Sequence, residues 1–279
     1  MNYKLQFVKI SPQHKIAGVG FAGNIFVILN CLEYLEEQDT IYVDMETNEC
    51  VTTQDDLEIF CTKNSWEFYF DQARFNYNEP YRVVNNLLPA KHAGMSYDAR
   101  NIDMKPDNYK NLKNKFYTHF KIKQYIKEDI EKYNDKNLKD KITLGVQIRL
   151  TDMKKHHSVS PVEKYIDKIN EIVKSNGKIQ QVFLSTDDNT IIETVKNNLK
   201  VPLIYHEDMF RANELDKHLE PHERYENTER QYHKYKLGLE VLKEIFTLSK
   251  CQYFLKADIS AISTVAIILS ENIKKVYKI

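Results

Sequence analysis

Cysteine is scarce in this chain. Cys31, Cys50, Cys61 and Cys251 are scattered through 279 residues, with no Cys-x-x-Cys pair and no histidines at zinc spacing. That argues against a structural zinc site and leaves buried free thiols as the expected state. Cys31 falls in an apolar helical pattern and Cys251 just before a strand, both core positions. An excess of either charge is missing as well. Lys plus Arg number 40 and Asp plus Glu 40, so the formal net charge is zero, which argues against a generally nucleic-acid-binding surface. Long apolar runs are missing too. The run Ala261 to Leu269 near the end is too short to span a bilayer as a helix. The opening MNYKLQFVKI lacks the apolar core and small-residue cleavage site of an export signal. A soluble, cytoplasmic protein with no integral membrane segment is therefore expected. Its length allows one large domain or two of ordinary size, and a sizeable core.

What is present is concentrated in LGVQIRLTDMKKHH, Leu144 to His157. An apolar run ends on Arg149 and opens into a Thr-Asp turn followed by basic residues. This reads as a buried strand that delivers a cation to the edge where ligands of doubly wound α/β layers sit. A guanidinium fork suits a diphosphate because it can give two parallel charge-assisted hydrogen bonds. An amphipathic segment follows, with Val162, Tyr165, Ile166, Ile169, Ile172 and Val173 at helical spacing behind Pro161. A second apolar strand, Gln181 to Ser185, ends in Thr186-Asp187-Asp188 and leads into a helix-like run from Thr190 to Leu199. The order is strand, helix, strand, helix.

The first half opens in the same style. Leu5, Phe7, Val8 and Ile10 suggest a strand, Ala17 to Asn24 a glycine loop, Ile25 to Leu35 a helix and Thr40 to Met45 another strand. Gly18, Gly20 and Gly23 match Gly-x-Gly-x-x-Gly, yet the strand before them is poorly placed for a nicotinamide site. Asn24 reads either as a helix N-cap or as part of a ligand loop. The aromatic residues Trp66, Phe68, Tyr69 and Phe70 read as packing more than as a sugar platform. A helix is expected through Ile122 to Tyr133. The polar segment NDKNLKDK, Asn134 to Lys141, is the linker candidate, dividing the chain into residues 1–140 and 141–279.

GVQIRLTD, STDD and the later GLEVLKEIFTLSKCQYFLKADISAIS resemble, in order, the three conserved blocks of the fucosyltransferase superfamily, above all its α1,6- and protein O-fucosyltransferase branches. There the first block reads roughly HVRRTDK and the second ATDD. The third pairs a Leu-Ser-x-Ala/Cys-Asp/Gln-aromatic stretch with Ser-Ser. The resemblance covers about half of the chain, Leu144 to Ser263. It implies an α/β protein of GT-B architecture, two facing Rossmann-like domains with mainly parallel sheets. Residues 1–140 would then be the acceptor side and 141–279 the nucleotide-sugar-binding domain. The implied activity is an inverting, metal-independent transfer of L-fucose from GDP-fucose to a hydroxyl of a glycan acceptor, with no cofactor beyond the nucleotide sugar.

The resemblance also implies roles. Arg149 matches the diphosphate-binding arginine, and Gln147, standing where the family has a histidine, can still bond a base or ribose. Gly20, Gly23 and Asn24 would shape the cleft. Asp152 and His157 are the acid-base candidates, each with a plain alternative, a turn cap for Asp152 and a surface position for His157. Of Asp187 and Asp188, one would cap the following helix and the other hold the nucleotide or order Arg149; their adjacency is unlike a metal-binding Asp-x-Asp. Glu244, on a helix expected over Lys236 to Leu248, would read the guanine edge, whose N1 and N2 both donate. Ser260 and Ser263, at the start of the next helix, would bind diphosphate or merely cap. Three departures stand out. Leu150 and Met153 take the places of two cations, and Ile259 that of a paired serine. They leave another GDP- or UDP-linked donor, or a catalytically silent binding protein, open.

Overall fold

The computed structural model describes residues 7–10, 20–33, 35, 36, 39–45, 61–72, 74, 80–84, 109–151, 159–215, 230–256 and 260–279. Its elements in chain order are β1 (Phe7–Ile10), α1 (Phe21–Leu32), β2 (Thr40–Val43), a 3-10 turn (Ser65–Phe68), β3 (Phe70–Asp71), β4 (Tyr81–Val84), α2 (Lys110–His119), β5 (Lys121–Ile122) and α3 (Gln124–Asn137). Then follow β6 (Thr143–Ile148), α4 (Val162–Ser175), β7 (Gln181–Thr186), a 3-10 turn (Asn189–Ile191), α5 (Ile192–Asn198), β8 (Leu203–Ile204), α6 (His233–Leu248), β9 (Tyr253–Lys256), α7 (Ala261–Leu269) and β10 (Lys275–Lys278).

Two sheets are wholly parallel, one in the order β2-β1-β4 and one in the order β10-β9-β6-β7-β8; β3 and β5 form a small antiparallel pair. The class is α/β with mainly parallel sheets, as expected. All six residues of β6 and of β7 are buried, the mark of strands covered on both faces. Side chains alternate along β6. Leu144, Val146 and Ile148 enter one core with Tyr165, Ile166 and Ile169 of α4 and Val195 of α5. The opposite face meets α6 and α7. Gly145 lies on that face, where an added Cβ would stand 3.1 Å from Cys251 Cβ, Cys251 Sγ and Leu248 Cδ2. Glycine is what lets the end of α6 press onto the strand.

A second core joins residues from both sides of position 140. It holds Ile25 and Leu29 of α1, the aromatic residues Trp66 to Phe70, Phe116 of α2, Ile245 and Leu248 of α6, and Val265 to Leu269 of α7. Trp66, Phe68, Tyr69 and Phe70 have no solvent exposure, so packing is their role. Trp66 stacks on Phe70 with centroids 4.0 Å apart, and Tyr69 stacks on Tyr235 of α6 at 5.5 Å. The Tyr69 hydroxyl donates to the Tyr235 carbonyl over 3.0 Å. Cys31 and Cys251 are buried free thiols, as the pattern implied.

Two local expectations are corrected. The first helix begins at Phe21, with Gly20 as its N-cap, and Asn24 lies inside it. The Asn24 amide donates to the Gly20 carbonyl over 3.2 Å, closing the first helical turn four residues ahead of the expected start. Apolar side chains on nearly every face of α1 are buried, so no polar stripe marked its beginning. The helix expected over Ile122 to Tyr133 also runs further: Asn134 to Asn137 complete α3, and Leu138 is buried as its C-cap. Polar composition there reflects the solvent face of a helix that packs through Ile126 and Ile130. No helix among the described residues is long and apolar enough to cross a membrane.

Candidate functional site

Parallel α/β sheets open a crevice where successive connections leave in opposite directions, beyond the carboxyl ends of the strands. Here β6 is that point. The chain runs from β6 outward to β7 and β8, then returns to the other side of β6 as β9 and β10. Arg149 follows β6 directly, Asp187 and Asp188 follow β7, and Ser260 and α7 follow β9. Most of the residues singled out in the second half therefore gather at one edge.

Arg149 is about a quarter exposed, and its Nε stands 3.8 Å from Asp187 Oδ2. The same Asp187 carboxylate accepts from the Leu150 amide over 3.3 Å and from the Thr151 hydroxyl. One carboxylate thus fixes the turn that carries the arginine. Asp188 does different work: it is buried, and its Oδ1 accepts from the Thr190 amide at 2.9 Å and the Thr190 hydroxyl at 2.6 Å. It is the cap of the following turn. Asp152 and His157 lie outside the described residues.

Gln147, one residue beneath the strand's edge, is 1% exposed, and its Oε1 accepts from Ser263 Oγ over 3.2 Å. Ser260 is the N-cap of α7, its hydroxyl accepting from the Ser263 amide at 3.4 Å. Ser263 therefore faces β6 from the first turn of a helix whose N-terminal amides carry partial positive charge.

Glu244 is 8% exposed on α6. Burial pushes its carboxyl up to about 7; Arg211 opposes the rise, and Asp187 and Glu240 add to it. Ser185 of β7 is close enough to favour the ionised form, although its hydroxyl falls outside ordinary hydrogen-bond geometry. Glu240, one turn earlier, is raised by burial and held back by Arg230, with which it forms an ion pair. Its Oε1 also accepts from the Phe210 amide over 3.3 Å.

Gly20 and Gly23 sit at the start of α1, and Asn24 is wholly buried there, with neither atom of its carboxamide hydrogen-bonded among the described residues. Among the described residues no group of three or more His, Cys, Asp or Glu side chains could hold a metal ion.

Sequence reasoning missed four charged side chains here. Arg211 is buried and donates to the carbonyls of Thr186 at 3.1 Å and His206 at 2.7 Å. Arg230 and Glu240 belong to a pairing ten residues apart that no local motif announces. Lys256, the last residue of β9, is 3% exposed. The signal available for Lys256 was its place at the end of an apolar strand, the same signal that drew attention to Arg149.

No family model matches the chain, and no curated protein does. Solved structures do. The fucosyltransferase NodZ from Bradyrhizobium matches with a TM-score of 0.56 and 12% identity over 96% of this chain and 94% of that one. NodZ α1,6-fucosyltransferase co-crystallized with GDP, and the same enzyme soaked with GDP-fucose, each match with a TM-score of 0.55 and 12% identity. POFUT1 in complex with GDP follows at a TM-score of 0.49 and 10% identity. The chain has the fold of NodZ.

Proposed function

We propose that this protein is an inverting glycosyltransferase that moves L-fucose from GDP-fucose to a hydroxyl of a glycan acceptor. The observation that carries the reading is the convergence, at the switch point of a fold shared with a GDP-binding fucosyltransferase, of Arg149, the Ser260-capped start of α7 and the buried Glu244. In the transfer, the acceptor oxygen attacks the anomeric carbon, the bond from that carbon to the phosphate oxygen breaks, and GDP leaves with the bonding electrons. Arg149 and the α7 amides stabilise the charge that develops on the diphosphate, so the step is assigned no metal. Glu244, once ionised, accepts from N1 and N2 of guanine; Gln147 and Ser263 flank the nucleotide, and Asp187 holds Arg149 in register. Gly20, Gly23 and Asn24 close the cleft from the 1–140 side, where the acceptor binds, while residues 141–279 bind the donor. The acceptor's proton goes to Asp152 or His157, an assignment that rests on the sequence blocks alone.

Leu150 favours a second reading. It is buried and apolar where the resembling family carries an arginine, which suits a different nucleotide-sugar donor on the same machinery. Titration of the purified protein against GDP-fucose, GDP-mannose, UDP-sugars, GDP and UDP, read as ligand-dependent thermal stabilisation with and without EDTA, separates the two. Selective, EDTA-insensitive stabilisation by GDP and GDP-fucose, lost in a folded Arg149→Ala variant, is the expected result. A uridine preference would replace the donor, and indifference to every nucleotide would end the transferase reading.

A further inference from the structure

The missing cations of the first block raise a question that the sheet itself answers. In the register between β6 and β9, Leu144 faces Tyr253, Gly145 faces Phe254 and Val146 faces Leu255. The next pair brings Lys256 level with Gln147. On the other side Gln147 faces Ser185 of β7. Alternation decides which way Lys256 points. Leu255 enters the core with α4, and Phe254 enters the core with α6 and α7. Lys256, two residues beyond Phe254, thus shares the α6 and α7 face with Gln147 and Ser185. Lys256, Gln147 and Ser185 form one row across three strands, one step beneath the switch-point edge, with Ser263 bonded to the middle of the row.

A lysine at 3% exposure is rare unless an anion or a set of acceptors repays its desolvation. Lys256 already has an interaction within the chain, and an ammonium carries three donors, so a second acceptor can be served from the same position. A flexible four-carbon stem ending in a compact charge suits a phosphate oxygen as a point contact, where Arg149 offers a fork. Three features of the crevice favour an anion there: the start of α7, its Ser260 cap and the arginine after β6.

We propose that Lys256 is a further donor-binding residue, a second cation for the diphosphate, carried on β9 in place of those that Leu150 and Met153 do not supply. The proposal rests on the nucleotide-sugar reading above and assigns the phosphates, not the base, to Lys256. It also assigns the residue a specificity role: the ligand must bring a phosphate to the β9 side of the crevice.

Calorimetric titration of the full chain with GDP, guanosine and inorganic pyrophosphate tests it, on the wild type and on Lys256→Gln and Lys256→Arg. Lys256→Gln is expected to weaken GDP at least tenfold and leave guanosine within twofold, with Lys256→Arg recovering most of the loss. Equal weakening of GDP and guanosine, or no change in either, would overturn the proposal and leave the transferase reading intact. Wild-type protein that binds neither GDP nor guanosine would remove the underlying reading instead. Should Lys256→Gln not fold, wild-type protein with 13Cε-labelled lysine gives the same answer, its Lys256 signal assigned by its loss in Lys256→Arg. That signal moves with GDP and pyrophosphate but not guanosine if Lys256 meets phosphate; a signal indifferent to GDP refutes it.

Discussion

A carboxamide buried without partners is costly, about 1–3 kcal/mol for a polar group left unsatisfied. Among the described residues Asn24 is in that position in the first turn of α1, while leucine repeats its branched outline, has a better helix propensity and has nothing to satisfy. Asn24→Leu is therefore expected to raise the unfolding free energy by about 1–2 kcal/mol, read from urea melts. On the proposed function, stabilisation by GDP-fucose is expected for the wild type and expected to be lost in the same variant. A fall in stability would mean that the carboxamide is satisfied by water in solution. At this scale the sequence was informative where a residue's local neighbours decide its role. The Asp188 cap and the Ser260 cap could be read because each serves an amide two or three residues away. Glu240 with Arg230, and Arg211 with the carbonyls it binds, depend on elements brought together only in the fold. Their residue types looked like ordinary surface charge.

Among elements, α6 is one of two, with α7, against which the first half packs. Gly238 of α6 lies directly beneath Tyr69, and a Cβ built there would overlap the tyrosine ring. Tyr69 cannot simply step aside, because its hydroxyl is bonded to the Tyr235 carbonyl and its ring is stacked on Tyr235. Gly238→Ala is expected to destabilise the protein by about 1–3 kcal/mol through overpacking, despite alanine's advantage within a helix, in equilibrium denaturation. An unchanged midpoint would show that the contact relaxes freely. The long elements were legible for different reasons: α4 shows a helical period, and β6 and β7 are apolar runs closed by polar turns. The strands β3 and β5, of two residues each, offer no period at all. The start of α1 was obscured for a different reason, since a helix buried on most sides has no polar face to announce it.

Across the whole molecule, buried titratable groups set opposing limits on pH. Burial lowers His206 to about 4, so an unfolded chain takes up a proton below about 6.5 that the folded chain refuses. Stability is lost as pH falls from 6.5 towards 4. Glu244 acts in the reverse sense. Its folded carboxyl keeps a proton up to about 7, whereas the unfolded one releases it near the ordinary value, so stability is lost as pH rises from about 4.5 through 7. Glu244→Gln removes only the second effect. The variant's stability advantage over the wild type is expected to grow between pH 5 and pH 8, to a limit on the order of 3 kcal/mol, measured by denaturant melts at each pH. A constant difference would place Glu244 in contact with water. The row formed by Lys256, Gln147 and Ser185 bears on the protein's history as well as its chemistry. These residues belong to the strands that also hold the core, so if the row meets the donor as proposed, a lineage cannot trade one ligand for another there without first surviving a change to its own foundations. Variation in what is recognised would be inherited more readily through positions outside the sheet.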